Sequence, residues 1–163
     1  MTDLKQIKNK ILEKENFYYL LIIVFIFGID RYSKNQIINN FSDNSFYFNE
    51  FLNLDLVWNT GVGFGLLSSN SAIFYNSISF FIGFIIFCLL FLIISSNNFD
   101  KFIYSLITGG AAGNFYDRII FKAVPDFIDL HYNSFHWFVF NVADIFITFG
   151  ILILLISGLL KKD

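Results

Sequence analysis

The chain has 163 residues, 56% of them hydrophobic and only 15% charged, whereas soluble domains carry about 25% charged residues; a mean hydropathy of +0.62 points to lipid rather than water as solvent. The net charge of −2 excludes the basic field that nucleic-acid binding requires, so no nucleic-acid partner is expected. One cysteine excludes an intrachain disulfide framework, and the length suits a single domain over residues 1–163.

In chain order, the first apolar segment runs from Phe17 to Ile29. It reaches the roughly 20 residues of a span if the helix continues through Asp30 and Lys34 to about Ile38. A cleaved signal peptide is the alternative. Against it stand Glu13 and Glu15 among the leading lysines, and Gly28-Ile29-Asp30-Arg31 where a small-x-small site belongs. Between Phe41 and Trp58, Leu52, Leu54, Leu56 and Trp58 alternate with Asn53, Asp55 and Val57, which predicts a strand with one apolar face. Ala72–Ile94 is the clearest span, and Phe102–Phe121 is a third that carries small and polar residues. The fourth is expected over Trp137–Leu160. The predicted class is an all-α membrane protein: four transmembrane helices with a small extracytoplasmic β region between helices 1 and 2.

Four spans put both termini on one side. That side holds Lys5, Lys8, Lys10, Lys14, Lys101, Lys161 and Lys162; the other holds Arg31, Lys34, Arg118 and Lys122. The excess places the termini in the cytoplasm. Asp30, Asp43, Glu50, Asp55, Asp117, Asp126, Asp129 and Asp144 then all fall on the outer side, while the inner loop from Ser95 to Lys101 is chemically plain. Any chemistry belongs to the outer membrane–water boundary.

Ionisable groups at membrane depth cost about 2.5–3.5 kcal/mol on insertion scales, so they are functional by default. Asp30 and Lys34 share a helix face at i, i+4; the plainer reading is an interfacial pair snorkelling to water. Asn59-Thr60-Gly61-Val62-Gly63-Phe64-Gly65 has three alternating glycines, suited to close backbone approach or to an ordinary turn. In the third segment Gly109 and Gly113 form a small-xxx-small packing pair, followed by Asn114, Asp117 and Arg118, which packing does not explain. Asp126 is hemmed by Val124, Pro125 and Phe127, and Asn141 and Asp144 share a face at i, i+3 at the head of the fourth segment. Two close carboxylates cannot both hold negative charge easily; one keeps its proton, giving an acid and a base for hydrolysis without a cofactor.

Competing chemistry is thin. Cys88 lies within an apolar run and reads as a packing residue, too far from His131 and His136 to share a metal, so no metal site is expected. Asp129, His131 and Ser134 share one loop but lack a nucleophile elbow.

Asp-x-x-x-Lys, Asn-x-Gly-x-x-Phe, Gly-Gly-x-x-Gly-Asn-x-x-Asp-Arg, x-x-Asp-Phe and Phe-Asn-x-Ala-Asp occur in that order from about Gly28 to the end of the fourth segment. The ordered set resembles the lipoprotein signal peptidases, or signal peptidase II. The resemblance implies an aspartic endopeptidase of the bacterial cytoplasmic membrane that cuts prolipoproteins before a diacylglyceryl-modified cysteine. By motif match Asp126 and Asp144 are its catalytic pair. Asp30, Lys34, Asn59, Gly61, Gly109, Asn114, Asp117, Arg118 and Asn141 support them or bind substrate. The implied partners are the lipidated prolipoprotein and membrane lipid, with no cofactor and a monomeric chain. Arg31 stands where the family usually has Gln, Gly63 where it has Ala, and Pro125 where it has Val. The competing readings are a small proton-coupled carrier, which the apolar inner half of each span disfavours, and an assembly subunit using the glycine face.

Overall fold

The computed structural model describes residues 14–41, 45–61, 72–133 and 135–160. Four helices and four strands are formed by them: α1 (Lys14–Asn40), β1 (Phe46–Asn49), β2 (Leu52–Asn59), α2 (Ala72–Ser95), α3 (Asn98–Phe121), β3 (Val124–Tyr132), β4 (Phe135–Phe140) and α4 (Val142–Leu160). Lys5, Lys8, Lys10, Lys161, Lys162, Asp43, Gly63, Gly65 and Ser134 lie outside the described residues.

Among the described residues three helices are long and apolar enough to cross a membrane: α1, the Tyr75–Ser95 part of α2, and α4. Only 11–17% of the residues in their most apolar windows are buried, and Phe25, Phe80, Phe87 and Leu159 present bare side chains. Aqueous solvent would penalise such faces, whereas lipid tails do not. The chain's one proline lies in β3, so no helix is interrupted.

Helix α3 occupies the middle of the bundle and packs against α1, α2 and α4. It starts at an Asn97 cap, whose side chain accepts from Asp100 N at 3.1 Å, and stops at Lys122 in the left-handed conformation (φ 57°). Its glycines explain the packing. A Cβ on Gly109 would lie 2.8 Å from Ile26 Cβ on α1, and one on Gly110 would lie 2.5 Å from the Ala143 carbonyl oxygen on α4. A Cβ on Gly113 would collide with the Asp30 carboxylate. Lower in the bundle Leu89, Ile103 and Ile107 form a small core, with Ile153 and Leu154 against it.

The strands form one antiparallel sheet in the order β1-β2-β3-β4. Here the predicted architecture needs correction. The β region is not confined to the connection between the first two spans; half of it comes from the connection between α3 and α4. The fourth helix begins at Val142, because Phe135–Phe140 pairs with β3 as a strand. Nor does the alternation in β2 persist to its end. A bulge between Leu54 and Val57 shifts the register, leaving Val57 and Trp58 exposed and Asn59 buried. A bulge re-aims the side chains beyond it, and here it turns Asn59 inward beside β3.

Candidate active site

The site is built where the carboxy-terminal ends of α1 and α3 meet the amino-terminal end of α4 beneath the sheet. At its base Lys34 is fully buried. An ammonium has three protons to donate, and Lys34 Nζ gives them to Asp30 Oδ2 (2.8 Å), Asn114 Oδ1 (2.7 Å) and Asp117 Oδ2 (2.8 Å). Asp117 Oδ1 is taken by the Arg31 guanidinium, which also lies 4.9 Å from the centre of the Tyr116 ring. The predicted i, i+4 pair of Asp30 and Lys34 is present, but it does not snorkel to water. It ties α1 to α3 in the interior.

Asp30 also reaches α4. Its Oδ1 accepts from Ala143 N at 3.0 Å, placing a carboxylate on the free amides at the start of α4, where the helix dipole favours it. Asn141 and Asp144 close the same helix end reciprocally. Asp144 N donates to Asn141 Oδ1 and Asn141 N to Asp144 Oδ2, both at 3.1 Å, which is the geometry of a capping box. The i, i+3 spacing therefore has a structural purpose beyond a shared face.

Asn141 then links the two candidate carboxylates. Its Nδ2 donates to Asp126 Oδ1 at 2.6 Å while its backbone holds Asp144. Asp126 Oδ2 accepts from Asn59 Nδ2 at 2.9 Å, and Asn59 Oδ1 receives Gly61 N at 2.8 Å. Asp144 Oδ1 accepts from Asn114 Nδ2 at 2.8 Å, so Asn114 passes the field of Lys34 on to Asp144 through its amide. Asp126 is 3% exposed. Burial, and after it the charge of Asp144, pushes its carboxyl up from the ordinary 3.8 to about 6, although Asn59 and Asn141 pull the other way.

Arg118 lies beside this group. It donates to the Gly61 carbonyl and sits 5.7 Å from the centre of the Tyr75 ring, while Tyr75 Oη returns a bond to its carbonyl at 3.1 Å. Its Nε and Nη1 are buried without a partner among the described residues. A cavity of about 640 Å³ reaches Asp144 from the side, walled by Tyr132, Phe135, Trp137, Phe140 and Phe149.

Thus Asp30, Lys34, Asn59, Gly61, Asn114, Asp117, Arg118, Asp126, Asn141 and Asp144 come together. Gly109 stands apart, against Ile26, as a packing residue. Sequence reasoning noted Arg31 only as a departure; its partner is Asp117, 86 positions away. Tyr75 and the Ala143 amide carried no sequence signal. Asp129 associates with His136 Nδ1 at 2.8 Å and with His131 Nδ1 at 3.8 Å. The histidines thus have an acidic neighbour, whereas Cys88 lies on another helix.

Lipid-compatible helices around a buried and a half-buried carboxylate that share an asparagine define a class: membrane-embedded proteins with carboxylate chemistry at one end of a helix bundle. A sequence profile described as Signal peptidase (SPase) II matches residues 22–160. The chain belongs to the signal peptidase II family, and is therefore a peptidase. It is 48% identical over 154 residues to a lipoprotein signal peptidase of Pelagibacter ubique (strain HTCC1062), covering 93% of each chain. It is 36% identical to one from Francisella tularensis subsp. mediasiatica (strain FSC147), over 88% of this chain and 92% of the other. Two solved structures described as bacterial membrane enzymes, determined by the in meso method at 2.3 and 1.9 Å resolution, superpose with TM-scores of 0.76 and 0.74. They are 30% and 32% identical, and each alignment covers 90% of this chain, with 90% and 94% of the other.

Proposed function

We propose that Asp126 and Asp144 are the catalytic pair with which this member of the family removes signal peptides from prolipoproteins, cutting before the diacylglyceryl-modified cysteine. The observation that carries the assignment is the Asn141 bridge, which holds one carboxylate by its side chain and the other by its backbone. Asp126 holds the shared proton and Asp144 is the base. Asp144 takes a proton from a water as its oxygen attacks the scissile carbonyl, and Asp126 protonates the carbonyl oxygen. The tetrahedral diol collapses with cleavage of the C–N bond: Asp144 gives its proton to the cysteine nitrogen, which leaves as the new amino terminus, and Asp126 takes a proton back from a diol hydroxyl as the carboxyl product forms. Asp117 is a poor candidate for either role, because Lys34 and Arg31 occupy both of its oxygens. The apolar cavity beside Asp144 suits the lipid chains or the apolar stretch of the signal peptide.

The chain acts as one monomeric domain with four spans, α3 being the fourth. At about 1.5 Å per residue its 24 residues cover the roughly 30 Å of a hydrocarbon core, and its polar groups face α1 and α4. The termini are cytoplasmic, in the inner membrane, and the aspartates sit near the outer face.

The test is cleavage of a diacylglyceryl-modified prolipoprotein by reconstituted protein. Asp126→Asn and Asp144→Asn each lower the rate at least about 100-fold, while folded Asp117→Asn still cleaves. A dead Asp117→Asn beside an active Asp126→Asn would transfer the role to Asp117. An intact precursor with well-folded wild type would sink the peptidase reading.

A further inference from the structure

We propose that Asp129, His131 and His136 form a binding site for a divalent transition-metal cation of the zinc type, clamping the β3–β4 hairpin at the rim of the cavity beside Asp144. The three side chains converge through strand geometry. Asp129 and His131 are two apart on β3 and so share a face, and His136 on β4 is the direct partner of His131. Their ligand atoms all lie within 4.8 Å of one another. Tetrahedral zinc, with nitrogen and oxygen ligands about 2.0–2.2 Å from the metal, places ligand atoms about 3.3 Å apart. The separations of 2.8 and 3.8 Å from Asp129 Oδ2 to the two histidines straddle that value. Two imidazoles and a carboxylate leave a fourth position for water.

The plainer account is a single hydrogen bond from His136 to Asp129. It leaves too much unexplained. The Asp129 side chain is 3% exposed and that of His131 10% exposed. Yet among the described residues Asp129 Oδ1 and His131 Nδ1 are buried with no hydrogen-bond partner. Asn53, the Cα partner of Asp129 across β2 and β3, likewise has a buried Oδ1 without a partner among them. Buried polar atoms rarely go unsatisfied, and here three of them lie together on two neighbouring strands. A cation supplies what such a group of lone pairs lacks. The His131 and His136 rings stack at 5.1 Å with 22° between planes, which sets the two imidazoles side by side next to Asp129. Neutral imidazole is the ligand form.

The site would join β3 to β4 three residues beyond Asp126, where Leu130, His131, Tyr132 and Phe135 form part of the cavity wall. Its occupancy would stiffen that wall without entering the hydrolytic step.

The experiment is Zn²⁺ titration of the full chain, purified without a histidine tag and stripped with chelator, in competition with a chromogenic chelator. Wild type binds one Zn²⁺ per chain. His136→Ala, His131→Ala and Asp129→Asn each weaken binding at least ten-fold. Co²⁺ gives the visible absorption of a tetrahedral site in wild type and loses it in the variants. His136 has a side chain 55% exposed, so its removal leaves the fold intact, and Zn²⁺ raises the Tm of wild type but not of His136→Ala. Equal binding by wild type and His136→Ala, or no binding by wild type, would overturn the proposal. Neither result bears on Asp126 and Asp144, whose test is cleavage.

Discussion

Lys34 and Asp126 are buried charges of opposite kinds. Lys34 sits between two carboxylates and an amide oxygen, with no proton left over, so its removal exposes Asp30 and Asp117 to each other. Deleting one partner of a buried ion pair costs about 3–5 kcal/mol, mostly by stranding the other charge. Lys34→Met is expected to lower the Tm in detergent by several degrees or to prevent accumulation of folded protein; an unchanged Tm would mean that water already solvates this network. Asp126 titrates where the chemistry can use it. Its carboxyl is raised from 3.8 to about 6, so the native state favours the protonated form. Its contribution to stability is present below 3.8 and is lost as pH rises through about 6. The Tm of wild type should fall relative to that of Asp126→Asn across this interval. As the proposed proton donor, Asp126 should set the basic limb of kcat/KM near pH 6, and that of kcat higher, because substrate filling the cavity would expel water and raise the carboxyl further. Coincident limbs would argue that Asp126 is not the proton donor.

Among the elements, α3 decides how closely the others approach. Its Gly110 lies under the Ala143 carbonyl, one residue from Asp144, and that neighbour is backbone that cannot rotate away. Gly110→Val should therefore push α4 outward, costing about 1–3 kcal/mol as overpacking does and lowering kcat more than KM. If Gly110→Val cleaves normally, α4 has freedom that its capping box does not suggest. The glycine spacing made this face legible in the sequence, and α2 was read to within a residue, because unbroken apolar runs and small-xxx-small spacing are local signals. The β3–β4 hairpin was not legible. Trp137–Phe140 is apolar and continuous with α4, so composition alone extends the helix; the strand exists because β3 lies beside it, and β3 is fixed by pairing with β2 more than 60 positions earlier. The site divides similarly. Its residue types followed from charges in apolar surroundings, but the pairing of Arg31 with Asp117, the Lys34–Asn114–Asp144 relay and the grouping of Asp129 with two histidines depend on contacts that no local pattern specifies.

For the whole molecule the decisive quantity is orientation. The buried carboxylates, the sheet and the exposed aromatics Tyr47, Phe51, Tyr132 and Trp137 lie at one end of the bundle. The α2–α3 turn, with Asn97 and a buried Lys101 bonded to Asn16 at 2.8 Å, lies at the other. Aromatic residues favour the membrane–water boundary, and basic residues concentrate on the cytoplasmic side. The proposed orientation has the sheet outside and the turn inside. The proposed fourth span enters here. Counting hydropathy alone passes over α3 because its Gly109, Gly110, Gly113, Asn114 and Asp117 face neighbouring helices rather than lipid, and only a crossing α3 places the α2–α3 turn and the sheet on opposite sides. Cysteine labelling separates the alternatives. In a Cys88→Ser background, Tyr132→Cys should react with a membrane-impermeant maleimide on intact cells, whereas Asn97→Cys should react only after the membrane is broken. Labelling of both positions from outside would mean that α3 does not cross. Labelling of Asn97→Cys alone would invert the protein and place Asp126 and Asp144 on the cytoplasmic side, where substrates still carrying their signal peptides would have to be cut before export.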